Sequence, residues 1–210
     1  RSTLFPYTTL FRSALAALRQ AAALDFDDLL LKVVELFKIH PDIRQKWQQQ
    51  FQHILIDEYQ DTNTVQYTLI KLLVGPERNL SVVGDDAQSI YSFRGADYTN
   101  ILNFERDFPG AVVIKLEQNY RSTGSILHLA NNLIQHNVNR TDKNLWTNSG
   151  DGAEPQLWQL YSEAEEAQVI ANEIRRQLSI GCSPDDIAVL YRTNAQSYAI
   201  ERALRQNYLR

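Results

Sequence analysis

Two short apolar runs that end on carboxylates constrain this chain more than any other feature. They are His53-Ile54-Leu55-Ile56-Asp57 and Leu80-Ser81-Val82-Val83-Gly84-Asp85. Continuous apolar runs of this length read as strands buried on both faces. A helical pattern over 62–74 lies between them. Strands that alternate with helices predict a parallel sheet covered by helices, the α/β class. Three further runs, 111–116, 156–161 and 187–191, predict more strands of the same kind. Helices are predicted over 14–23, 25–38, a short stretch from Pro41, 98–108, and from Ser122 or Thr123 to about His136. Another starts at Ser162, with Glu165 three residues on as a capping box, and ends near Gly181; the last covers 195–206. Residues 137–155 are polar and aperiodic, hence a long loop. Pro109-Gly110 marks the seam between two α/β units.

Composition closes off several function classes. The chain has 210 residues, room for one ordinary domain or two small ones. It contains no run of about eighteen apolar residues, so a membrane-spanning helix is excluded. A single cysteine, Cys182, excludes an intrachain disulfide framework and fits a reducing, cytoplasmic setting. A net charge of −4 excludes a uniformly basic coat for nucleic acid but leaves room for a local basic groove. Methionine is absent even at position 1, so a fragment of a longer protein is expected. Residues 1–13, RSTLFPYTTLFRS, lack a signal-peptide layout and resemble the conceptual translation of a sequencing adapter. They are set aside from functional reasoning, and Leu4, Phe5, Tyr7, Leu10 and Phe11 are expected to stay out of the core.

Three segments carry chemistry. In Ile54-Leu55-Ile56-Asp57-Glu58 the strand would hold Asp57 at the C-terminal edge of the sheet, where open α/β sheets bind ligands. That is a Walker-B arrangement: Asp57 for Mg²⁺ and Glu58 to deprotonate an attacking water. Asp-Glu alone reads equally well as two solvated acids. In the second segment, 83–96, Gly84 permits a tight exit from the strand and Gln88 is placed to report on a γ-phosphate. Tyr91 and Phe93 precede Arg94, and an aromatic beside an arginine offers a single strand both base stacking and a phosphate contact. Tyr91 fits the core as well as the groove, whereas Phe93 sits in a loop between Ser92 and Arg94. In the third, 116–123, Tyr120 beside Arg121 suits a nucleotide base and a phosphate, or a structural Arg–Glu turn.

Taken together, the segments resemble motifs II, III and IV of the UvrD/PcrA/Rep group of superfamily 1A DNA helicases. The matching stretches are DEYQDTN at 57–63, VVGDDAQSIYSFRGA at 82–96 and LEQNYRST at 116–123. Phe26-Asp27-Asp28-Leu29-Leu30 upstream, and 187–192 with 201–204 downstream, extend the likeness over about 14–207. The resemblance implies parts of two RecA-like P-loop NTPase motor domains, both incomplete. Residues 14–110 would be the C-terminal part of motor domain 1A with the end of 1B, and 111–210 the N-terminal part of 2A.

It further implies an ATP-dependent 3′–5′ helicase or single-strand translocase of DNA repair or replication, using ATP and Mg²⁺. Its partners would be single-stranded DNA and duplex junctions, with no membrane. Asp57 would hold the metal and Glu58 act as catalytic base. Gln88 would couple the γ-phosphate to the DNA site, Tyr120 stack on adenine and Arg121 act as an arginine finger. Tyr91, Phe93 and Arg94 would contact DNA. The family often has Trp where Phe93 stands, so stacking there loses some area. A helicase subunit of an AddA/RecB-type helicase-nuclease, or a non-catalytic remnant, are the rival readings. No GxxxxGK[ST] P-loop occurs in the 210 residues, so this polypeptide by itself is expected to lack ATPase activity.

Overall fold

A computed structural model describes residues 7–209, with the backbone alone for 7–12 and 15. The expectation about Leu4, Phe5, Tyr7, Leu10 and Phe11 therefore lies outside the described side chains. Helix α1 spans Tyr7–Gln20 and so begins earlier than the predicted start at Ala14. The chain forms two compact units that divide after Ala153.

In the first unit, α2 (Phe26–Ile39) starts at Asp25, whose carboxylate accepts the Asp28 N–H at 2.8 Å, while Asp28 reaches back to the Asp25 N–H. Asp27 and Asp28 also suit the positive end of the helix dipole. Helix α3 (Pro41–Gln50) begins on Pro41, where the missing N–H costs nothing. Helix α4 (Thr64–Leu73) is capped by Asn63, which accepts from Val65 N and Gln66 N while Gln66 returns a bond to the Asn63 N–H. Val34 and Phe37 of α2 and Ile70 of α4 are buried where these helices pack.

The sheet is a single parallel pair. Strand β1 (Ile54–Ile56) pairs with β2 (Leu80–Val82) in the register Ile54↔Leu80, Leu55↔Ser81, Ile56↔Val82. The predicted helix over 98–108 forms as two single turns, α5 (Thr99–Leu102) and α6 (Phe104–Asp107), broken at Asn103. Phe104 meets the buried ring of Tyr59 edge-on, with centroids 5.6 Å apart. Helix α7 (Gly124–Ile134) has its first N–H groups satisfied by carbonyls: Gly124 N by Gly150 O at 2.7 Å and Ser125 N by Asp151 O at 3.0 Å.

In the second unit, α8 (Glu163–Ser179) packs on α9 (Asn194–Gln206) through Ala167, Ala171 and Ala203. Three alanines at the contact let the helix backbones approach closely, and Ile200, Leu204 and Leu209 cover the seam. Ser162 caps α8 as predicted, accepting the Glu165 N–H at 3.2 Å. The Glu165 carboxylate returns its bond one residue earlier than a capping box requires, to the Tyr161 N–H at 3.0 Å.

Three predicted strands do not form. Residues 111–116, 156–161 and 187–191 are not paired into any ladder. Val112, Ile114 and Leu116 are largely exposed, as are Leu157, Tyr161 and Leu190. A parallel strand closes no local hydrogen bonds; it forms only beside a neighbour that completes its ladder. Among the described residues no segment lies in that position, so the apolar pattern is present without the pairing. The nearest approach is a one-residue parallel bridge, Gln118↔Trp146.

The division after Ala153 also differs from the predicted seam at Pro109-Gly110. Residues 111–153 stay with the first unit because their loop is stitched to it: Thr141 N donates to Asp86 Oδ2 at 3.0 Å, and Lys143 pairs with Asp85.

Among the described residues, three buried side-chain atoms lack a hydrogen-bond partner: the Tyr59 hydroxyl, Asp61 Oδ1 and Thr123 Oγ1. The Tyr59 ring is fully buried and its hydroxyl makes no hydrogen bond. Burial, and then Tyr67 and Asp107 nearby, push this phenol up to about 12. An unsatisfied buried hydroxyl costs about 1–3 kcal/mol. Tyr59→Phe is therefore expected to raise the melting temperature of the chain, with a gain of about 1 kcal/mol. A lower melting temperature would show that the hydroxyl has a stabilising partner after all.

Candidate functional site

The parallel pair delivers its carboxylates at one end. Asp57 follows β1 directly and is exposed, with Oδ1 accepting the Glu58 N–H at 2.9 Å. Glu58 adopts a left-handed backbone, φ 50° and ψ 43°. That conformation costs a non-glycine residue roughly 1–2 kcal/mol and persists only where the surroundings impose it. Here Tyr59 N donates to Val83 O at 3.0 Å, locking the turn onto the end of β2. The strained turn aims the Glu58 side chain back across the sheet edge.

Gln60 explains that aim. Only 1% of it is exposed, and both ends of its amide are used. Nε2 donates to Glu58 Oε2 at 2.6 Å, and Oε1 accepts the Asp85 N–H at 2.9 Å. Asp85 in turn accepts Gln88 Nε2 on Oδ2 at 2.9 Å and Ala87 N on Oδ1 at 2.9 Å. A continuous hydrogen-bonded chain thus runs Glu58–Gln60–Asp85–Gln88. Burial alone would raise the Asp85 carboxyl, but Lys143, the Gln88 amide and the Ala87 N–H bring it below its usual range. Gln60 was not among the sequence candidates. Its signal was weak, a polar residue in a polar stretch, since only the tertiary packing buries it.

Gly84 is needed here for space. A Cβ at this position would lie 2.5 Å from Gln60 Oε1, 2.9 Å from Ile101 Cδ1 and 3.2 Å from Tyr59 N. Gly84→Ala is expected to displace the Gln60 amide and to destabilise the unit by about 1–3 kcal/mol, as overpacking does. Denaturant unfolding measures this, and an unchanged midpoint would mean that the turn yields without cost.

A second seam ties the two sequence segments together. Asn100 Nδ2 donates to Thr62 O at 3.1 Å, Asp97 N donates to the same carbonyl at 3.0 Å, and Asn63 bridges to Ala96. Between Asp85 and this seam the chain turns outward. Residues Ser92–Arg94 make a 3₁₀ turn closed by Gly95 at φ 84°. Phe93 is 70% exposed and Tyr91 38%, so neither ring belongs to the core. Their centroids are 6.0 Å apart. The Arg94 guanidinium carbon lies 5.2 Å from the Tyr91 centroid and 5.4 Å from that of Phe93. The three side chains form one exposed aromatic–cation surface.

Tyr120 and Arg121 stand apart. Asn119 Oδ1 accepts from Arg121 N at 2.9 Å and Ser122 N at 2.7 Å, which shapes the turn. Tyr120 is 82% exposed, and its hydroxyl donates to Gln118 Oε1 at 2.9 Å. Among the described residues, no hydrogen bond or ion pair joins either side chain to Asp57, Glu58 or Gln88. A cavity of about 570 Å³ opens at the opposite end of the strands, beside Arg44, Gln48, His53 and Arg78, and contains none of the candidate residues. Among the described residues no three His, Cys, Asp or Glu side chains converge on a common metal position, and no helix is long and apolar enough to cross a membrane.

Comparison with known proteins decides the family. Residues 6–109 match the UvrD/REP helicase N-terminal domain, and residues 114–210 match the UvrD-like helicase C-terminal domain. The chain belongs to the UvrD-like helicase family. UvrD-like helicase domains are RecA-like α/β folds, and the parallel β1–β2 pair with its helices is an incomplete version of that architecture. Among UvrD-like relatives, an ATP-dependent DNA helicase PcrA of Staphylococcus epidermidis is 47% identical over 193 residues, 92% of this chain and 26% of the relative. The protein of the same name from Leuconostoc citreum is 47% identical over 190 residues, 90% and 25% respectively. That of Staphylococcus aureus is 49% identical over 179 residues, 85% and 24%. The chain thus spans about a quarter of the length of these relatives.

Proposed function

We propose that this chain supplies the water-activating carboxylate, the phosphate-coupling glutamine and part of the single-strand groove of an ATP-driven DNA helicase moving 3′ to 5′. The observation that carries this is the hydrogen-bonded chain from Glu58 through Gln60 and Asp85 to Gln88. It joins a hydrolytic carboxylate to the segment that displays Tyr91, Phe93 and Arg94. A coupled motor needs such a link: the group that senses hydrolysis must share a rigid element with the group that grips the strand.

Asp57 fits Mg²⁺, because its hard, exposed oxygens are what that ion takes from protein while water and substrate phosphates supply the rest. Bound ATP and Mg²⁺ supply the scissile phosphoanhydride and its charge neutralisation. Glu58 then holds a water and accepts its proton, and Gln88 orients toward the γ-phosphate. Tyr120, exposed, stacks on adenine, and Arg121 reaches the γ-phosphate from the second motor region. Residues 14–110 belong to motor domain 1A with the end of 1B, and 111–210 to 2A. The setting is the cytoplasm, on single strands and duplex junctions of DNA under repair or replication.

The test is a chimera in which residues 14–207 of this chain replace the matching segment of the Staphylococcus epidermidis relative. Phosphate release stimulated by single-stranded DNA, with unwinding of a 3′-tailed duplex, is the expected result. A folded chimera that releases no phosphate overturns the reading.

A further inference from the structure

Asp85 has more partners than its place in the chain to Gln88 requires. Besides Ala87 N and Gln88 Nε2, its Oδ1 pairs with the ammonium of Lys143. The same ammonium lies 3.9 Å from Asp86 Oδ1, and Thr141 N donates to Asp86 Oδ2 at 3.0 Å. These side chains are well covered: 18% of Lys143, 23% of Asp85 and 5% of Asp86 remain exposed. Partial burial of a lysine between adjacent carboxylates is stable only while the pairing holds, because an unpaired charge there is costly.

The position of this contact gives it meaning. Asp85, Asp86 and Gln88 lie in the region matched by the N-terminal family domain, and Thr141 and Lys143 in the region matched by the C-terminal one. The two regions therefore meet at the carboxylate that holds the Gln88 amide. Resting on the function proposed above, we propose that Lys143 is a positioning residue: through Asp85 it sets the Gln88 amide, tying the second motor region to the phosphate-coupling glutamine. With Oδ1 engaged by Lys143 and Ala87 N, the carboxylate plane is fixed and Oδ2 faces Gln88. Without Lys143 only the Ala87 N–H remains on Oδ1, so the carboxylate plane, and with it the Gln88 bond on Oδ2, is held less firmly.

The test is a double-mutant cycle in the chimera, read on DNA-stimulated ATP turnover. Lys143→Met keeps the aliphatic stem and removes the charge. It is expected to lower kcat about tenfold, within the range that misplacing a reacting group produces, with little change in KM for ATP. In a Gln88→Ala background the same change is expected to have less than a twofold effect, because both act on one amide. Lys143→Arg is expected to recover most of the rate. Equal losses in both backgrounds, or an unchanged kcat, overturn the proposal.

A second measurement needs no activity. In the 210-residue chain, Lys143→Met should speed amide exchange at Ala87, Gln88 and Thr141 and leave α8 and α9 unchanged. Unaltered exchange at those three amides shows that the tether does not hold the turn. Failure of the function itself would show differently, as a chimera whose turnover is insensitive to Glu58→Gln.

Discussion

Glu58→Gln in the chimera is expected to leave ATP binding intact and to slow hydrolysis by about 10²–10⁴-fold, the range general-base catalysis supplies. The substitution is nearly isosteric. The glutamine oxygen can still accept the Gln60 Nε2 bond that Glu58 Oε2 accepts at 2.6 Å, so the turn keeps its support. The left-handed backbone at φ 50° is unaffected, since both residues carry the same Cβ. What is lost is the ability to take a proton from water. Nucleotide binding by fluorescence, beside single-turnover phosphate release, separates the two steps. Unchanged hydrolysis would remove Glu58 from the role of base and leave its strained turn as a structural feature.

Phe93→Ala is expected to weaken single-strand binding by about 1–3 kcal/mol, the worth of one base stacked on an aromatic ring. That corresponds to a rise in Kd of about 5- to 150-fold. The ring is 70% exposed and lies against Tyr91 and Arg94, so its loss should barely touch stability. Tyr91 is expected to behave differently, being 38% exposed and more tightly held. Binding of a labelled oligothymidine at fixed salt is the measurement, because phosphate contacts make the affinity of a single strand salt-dependent. Equal affinity with and without the ring would place the strand elsewhere on the motor. A large drop in melting temperature would mean instead that the ring is structural.

The amino-acid sequence determined the local elements that depend on neighbours in the chain. Asp25, Asn63 and Ser162 start their helices where capping chemistry puts them, and Pro41 opens its own. The runs ending at Asp57 and near Asp85 pair in parallel, as their unbroken apolar character required. The motif spellings alone pointed to the family. The tertiary structure decided what depends on distant partners. The apolar runs at 111–116, 156–161 and 187–191 are not strands, because a parallel ladder is a property of two segments and no pattern within one supplies the other. Residues 111–153 group with the first compact unit through space, where Lys143 lies against the carboxylates at 85 and 86. Gln60 became the centre of the site only when the end of β2 closed over it, with Gly84 leaving the space. Charge pairing and burial act through space, and a sequence orders residues only along the chain.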